Sequence, residues 1–130
     1  MSRDNNKILV IDDDRNFNYM LSTHLQKNHF EVTQAYSGKQ GIKLSAEQKP
    51  DLVITDMRLP DIDGFEVVHE LKERKVKTRV MVLSGFNMPD AEVIKVKQLG
   101  ACENLVKSER VGDILKKIQT VIKSQKTYNI

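Results

Sequence analysis

The chain has 130 residues, 39% hydrophobic and 30% charged, which suits one globular domain with one sizeable core. Its 21 basic and 18 acidic residues leave a net charge of +3, too small and too scattered to mark a nucleic-acid surface. Cys102 is the one cysteine, which excludes an internal disulfide or zinc cluster; no apolar run reaches the length of a signal-peptide core or a membrane span, so a reducing cytoplasm is expected.

Residues 1–6 are polar and are expected to fray. Ile8-Leu9-Val10-Ile11 is a short continuous apolar run, the mark of a strand buried on both faces, and it stops at Asp12-Asp13-Asp14. Phe17, Met20, Leu21, His24 and Leu25 then recur at helical spacing to about Lys27, with Asp14 as N-cap. Residues 30–36 alternate and predict a strand near a sheet edge. Ser37-Gly38 opens a second helix, which Lys49-Pro50 stops near Gln48. Leu52-Val53-Ile54 is a central buried-type strand closed by Asp56, behind which Pro60 and Gly64 break regular structure. Gly64 begins a third helix with Phe65, Val67, Val68 and Leu71 inward. Val80-Met81-Val82-Leu83 is a fourth strand ending at Ser84-Gly85. Pro89 falls in the first turn of a fourth helix that ends at Gly100. Leu105-Val106 anchors a fifth strand ending at Lys107. Val111, Ile114, Leu115, Ile118, Val121 and Ile122 are expected to line one face of a last helix that runs almost to Ile130, so no output domain is expected within these 130 residues. Five strand–helix units predict an α/β fold: a doubly wound parallel sheet, right-handed crossovers, helices on both faces, and one domain over residues 1–130.

All carboxyl ends of parallel strands lie on one sheet edge, where open α/β sheets place their chemistry. Asp12, Asp13, Asp56, Ser84 and Lys107 can therefore meet in one crevice. Three clustered carboxylates resist ionisation unless a cation is present, and Mg²⁺ suits one or two carboxylates plus phosphate oxygens. The ammonium and hydroxyl suit the oxygens of a phosphoryl group. The first strand–helix turn, Asp12-Asp13-Asp14-Arg15-Asn16, lacks the glycines of a dinucleotide fold and repels phosphate; no P-loop occurs anywhere. The phosphoryl group is thus expected on the protein itself, with Asp56 as the central carboxylate able to accept it.

These motifs together, Ile8 to Asp13, Asp56 with Leu59-Pro60 and Asp63-Gly64, Ser84-Gly85, Gly100-Ala101 and Lys107, resemble the receiver domain of two-component response regulators over nearly the whole chain. The resemblance implies the flavodoxin-like strand order 2-1-3-4-5. It implies that Asp12 and Asp13 hold Mg²⁺ with Asp56 and the backbone carbonyl of Arg58, and that Asp56 is the phosphoacceptor. It also implies that Ser84 and Lys107 bind phosphoryl oxygens. The implied partners are a sensor histidine kinase or phosphotransfer protein, and a downstream target or separate effector domain, with no membrane or direct nucleic-acid contact. Catalysis extends at most to the domain's own phosphorylation and dephosphorylation. Two positions depart from the pattern. Asn104 stands where receivers usually carry an aromatic, so Phe86 is the expected switch ring in its place. Ser108 stands where proline usually follows the lysine, which predicts a trans peptide and a looser reach for Lys107.

Other conspicuous residues have plainer readings. Cys102 reads as a small buried hydrophobe, and His24, His29 and His69 have no ligand spacing. Lys116, Lys117, Lys123 and Lys126 read as the solvated face of the last helix. Two rival functions are a phosphorylation-independent interaction module with the same fold and a flavodoxin-like electron carrier; the carrier would need a phosphate loop that the chain lacks.

Overall fold

The computed structural model describes residues 6–74 and 78–128, with the side chains of the last helix described as far as Ser124. Residues 1–5 of the polar start and the Lys126 side chain lie outside the described residues. Ten elements alternate: β1 (Lys7–Ile11), α1 (Arg15–Lys27), β2 (Glu31–Ala35), α2 (Gly38–Gln48), β3 (Leu52–Asp56), α3 (Gly64–Glu73), β4 (Arg79–Ser84), α4 (Asp90–Leu99), β5 (Glu103–Val106) and α5 (Val111–Tyr128). The strands form one sheet in the order β2-β1-β3-β4-β5, and every pair is parallel. The alternating β2 is an edge strand, and β3, buried along its full length, is the central one.

Each apolar strand splits its side chains between two cores because successive residues point to opposite faces. Leu9, Ile11, Val53, Val80 and Val82 pack with Ile42 of α2, with Val67, Val68 and Leu71 of α3, and with Val96 of α4. Ile8, Val10, Leu52, Ile54, Met81, Leu83 and Leu105 pack with Leu21 and Leu25 of α1 and with Ile114 and Ile118 of α5. Burial of one such side chain contributes about 1.5–3 kcal/mol. Two helices therefore cover one face and three the other, which leaves the carboxyl ends of the strands as the open edge.

Local signals set the helix starts. Asp14, Ser37 and Asp63 cap α1, α2 and α3 by accepting the N–H of Phe17, Gln40 and Glu66. Gly100 closes α4 in the left-handed conformation, at φ +119°. Several expectations shift. Pro89 is the N-cap of α4, one place before its first turn. The buried face of α1 carries Asn18 and Ser22 beside Leu21 and Leu25, while Phe17 and Met20 are half-buried. Phe65, Val111 and Leu115 are also half-buried, as is Cys102, which packs at the margin of the α1–α5 core. His24 bonds the Met20 carbonyl through Nδ1, and His29 and His69 are exposed. Lys117 is ion-paired to Glu109 at 3.0 Å, whereas Lys116 and Lys123 are solvated. No described helix is long and apolar enough to cross a membrane.

Candidate functional site

β1 and β3 are sheet neighbours, yet the chain leaves β1 for one side, to β2, and leaves β3 for the other, to β4. A crevice opens at the carboxyl ends of such a pair. Asp12 follows β1 into it, Asp56 ends β3, Ser84 ends β4, and Lys107 follows β5.

Backbone contacts fix the acidic residues. The Asp12 N–H donates to the Ala35 carbonyl at 3.0 Å, and the Asp12 carbonyl accepts from the Asn18 side chain at 3.1 Å. Asn18 is fully buried and also donates to the carbonyls of Val10 and Ala35, while its oxygen accepts from Ser22 and Gln34. It staples α1 to the ends of β1 and β2. Apolar periodicity gave no sign of it, because a buried amide looks like a break in the pattern. On the other side of the crevice, Met57 N–H donates to Leu83 carbonyl and Gly64 N–H to Met57 carbonyl, which hold the chain after Asp56 against β4 and α3.

One carboxylate oxygen from each of Asp12, Asp13 and Asp56 lies within 4.8 Å of the other two. Asp12 and Asp56 are buried and Asp13 is exposed. Lys107 Nζ lies 2.7 Å from Asp12 Oδ2 and 3.2 Å from Asp56 Oδ2. The expected looseness of Lys107 is therefore not found: the peptide to Ser108 is trans, and the ammonium still reaches both acids. The chain turns directly after β5, where the Glu109 N–H donates to the Val106 carbonyl at 3.0 Å. Lys107 Nζ also lies 5.0 Å from the centroid of the Phe17 ring.

Charge is unbalanced here, with three acids against one ammonium. Asp12 Oδ1 accepts the Asp14 N–H, and its buried Oδ2 lies 2.7 Å from the Lys107 ammonium, with no well-aligned hydrogen bond among the described residues. Burial pushes the Asp12 carboxyl up to about 7; Lys107 and the Asp14 N–H pull it down, and neighbouring Asp56 adds to the rise. Burial disfavours the Lys107 charge, yet Asp12 and Asp56 outweigh it and raise its pKa above 10.5. A hard divalent cation with oxygen ligands fits this donor set and would neutralise the excess.

Asp56, Ser84 and Lys107 line a cleft of about 260 Å³, together with Arg58 and Phe86. Asp56 Oδ1 accepts the Arg58 N–H at 3.2 Å, and the Arg58 guanidinium stacks over Phe86 at 5.0 Å. The Ser84 hydroxyl donates to the Phe86 carbonyl, so in this state it is engaged by its own loop. Asn104 pairs in register with Val82 and is half-buried; its neighbour Glu103 accepts its N–H. Phe86 is 50% exposed.

A family model described as the response regulator receiver domain matches residues 8–119. The chain belongs to that family. Among curated relatives, this receiver domain is 31% identical to the chemotaxis protein CheY of Bacillus subtilis, over 89% of this chain and 97% of that one. It is 29% identical to the alkaline phosphatase synthesis transcriptional regulatory protein PhoP of the same organism, over 92% of this chain, but spans only 49% of that protein's length. Among solved structures, chemotaxis protein CheY4 of Vibrio cholerae superimposes with a TM-score of 0.84 at 28% identity, covering 90% of this chain and 98% of that one. The family binds Mg²⁺ at an acidic cluster, and Asp12, Asp13 and Asp56 form such a group here.

Proposed function

We propose that this receiver domain accepts a phosphoryl group on Asp56 and thereby switches a protein-interaction surface. The observation that carries this reading is the convergence of Asp12, Asp13 and Asp56 within 4.8 Å, with Lys107 bridging two of them.

Asp56 is the acceptor because it ends the central strand, with its Oδ1 held by the Arg58 N–H and its Oδ2 by Lys107. In the transfer, an Asp56 oxygen forms the new O–P bond as the donor's bond to phosphorus breaks. Asp12, Asp13, Asp56 and the Arg58 carbonyl would hold Mg²⁺, which would offset charge on the phosphoryl oxygens. Lys107 pairs with one phosphoryl oxygen. Ser84 gives up its bond to the Phe86 carbonyl to donate to another, which releases the loop leading into α4. Asn104 is too short and polar to act as the moving aromatic, so Phe86 on the released loop takes that part. The donor is a sensor histidine kinase or a phosphotransfer protein, and the readers are a target protein or an effector domain, in a cytoplasmic setting.

The test is incubation with a small phosphodonor and Mg²⁺, or with chelator, followed by intact mass. One added phosphoryl group is expected with Mg²⁺ and none with chelator; no adduct under either condition would overturn the proposal.

A further inference from the structure

β5 is an edge strand, so one row of its backbone groups faces no neighbouring strand. Lys107 N–H donates inward to the Ser84 carbonyl at 2.8 Å, and the alternation of a strand turns the Val106 N–H to the open side. There Glu109 Oε1 accepts it at 2.9 Å. The Glu109 N–H returns to the Val106 carbonyl, which closes a turn over residues 106–109 with Lys107 in its second place. The other carboxylate oxygen, Oε2, lies 3.0 Å from Lys117 Nζ, in the second turn of α5. The Val106 N–H holds the Glu109 carboxyl below its ordinary range, against a small opposing effect of burial, and Lys117 adds to the lowering.

We propose that Glu109 is a positioning residue: it fixes the turn that aims Lys107 at Asp12 and Asp56, and it ties that turn to α5 through Lys117. Ser108 supplies none of the rigidity that a proline ring would give here. The carboxylate three residues after Val106 closes the turn instead. Movement of Lys107 toward a phosphoryl group then pulls on the Val106–Glu109 pair and, through Lys117, on α5. The inference rests on the reading that Lys107 pairs with a phosphoryl group on Asp56.

The test uses Glu109→Ala, Glu109→Gln and Lys117→Ala in two arms. The first follows the ¹⁵N signal of the Lys107 ammonium in unphosphorylated protein, where burial between two carboxylates slows proton exchange. Glu109→Ala is expected to lose that signal to fast exchange. Glu109→Gln and Lys117→Ala both weaken it without abolishing it, because an oxygen still accepts the Val106 N–H while the ion pair to α5 is gone. The second arm measures phosphoryl uptake from a small phosphodonor with Mg²⁺. Uptake should slow by about 10-fold in Glu109→Ala and recover in part in Glu109→Gln, as expected for a displaced catalytic group. A Glu109→Ala variant that melts earlier but keeps the Lys107 signal and the uptake rate would overturn the positioning role. An unchanged Lys107 signal in Lys117→Ala would overturn the tie to α5. If the wild type takes up no phosphoryl group, the functional reading fails and the first arm alone decides the positioning of Lys107.

Discussion

Asp12 shows most sharply what the site costs the fold. Folded, it keeps its proton up to about pH 7; unfolded, it releases it near 3.8. Between these values the native state binds more protons, so this group's contribution to stability is complete at low pH and is lost as pH rises toward neutral. Asp12→Asn removes the penalty. In chelator, the variant should be more stable than wild type by about 1 kcal/mol or more at neutral pH and above, where burial leaves a poorly compensated carboxylate. The gap should close as pH falls below 4–5, and paired thermal melts across that range check it. A metal ion competes with the same proton, so Mg²⁺ affinity should fall as pH is lowered through 7, read from amide shifts in a titration. The residues of the crevice were legible in the sequence because each sits at the end of an apolar run. Asn18 and Glu109 were not: one hides as a polar gap in a helical stripe, and the other takes its role from a bond to the exposed side of an edge strand.

At the level of elements, the β3–α3 loop does two jobs. Asp61 reaches back 22–23 residues and accepts the N–H groups of Gly38 and Lys39 at 2.8 Å each, so it caps α2 from a distance. The little burial it has opposes ionisation, but these N–H groups outweigh that and lower its pKa below 3.8. Its contribution is therefore present above that value and lost as pH falls through the folded pKa. Asp61→Ala should cost about 1–2 kcal/mol at neutral pH, measured by denaturant unfolding, with the cost shrinking in acid. Gly64 lets the start of α3 press on the end of β3: a Cβ there would lie 2.6 Å from Met57 Cα and 2.8 Å from the Asp56 carbonyl oxygen. Both are backbone atoms, so Gly64→Ala must move the end of β3 that carries Asp56 or the start of α3. It should lower stability by about 1–3 kcal/mol and slow phosphoryl uptake, measured by melts and intact-mass time courses. The caps at Asp14 and Ser37 could be read from adjacent residues, whereas the Asp61 cap could not, since no local pattern encodes a bond over that separation.

For the whole molecule, the doubly wound sheet separates a well-buried frame from a lightly attached face. β3 is buried at every position, while α4 buries only Val96 and leaves Ile94 56% exposed. Amide exchange should thus find α4 the least protected of the five helices, and phosphorylation should change its protection most, because the Ser84 loop feeds into it. Equal protection in α3 and α4 would contradict this. The five strand–helix units were legible because buried parallel strands write continuous apolar runs, and the split of Ile8 and Val10 from Leu9 and Ile11 follows from the pleat. A groove of about 580 Å³ between α2 and α3 lies apart from the three aspartates and mixes lysines with glutamates along its rim. The aspartates and Lys107 gather at the strand ends, not in this groove.

The most direct test compares wild type with Asp56→Asn after exposure to a phosphodonor and Mg²⁺, with the adduct mapped by peptide mass. Wild type should carry one phosphoryl group, located on Asp56, and the variant none. A phosphoryl group on Asp12, Asp13 or any other residue of the wild type, or undiminished uptake by Asp56→Asn, would contradict the assignment of Asp56 as acceptor.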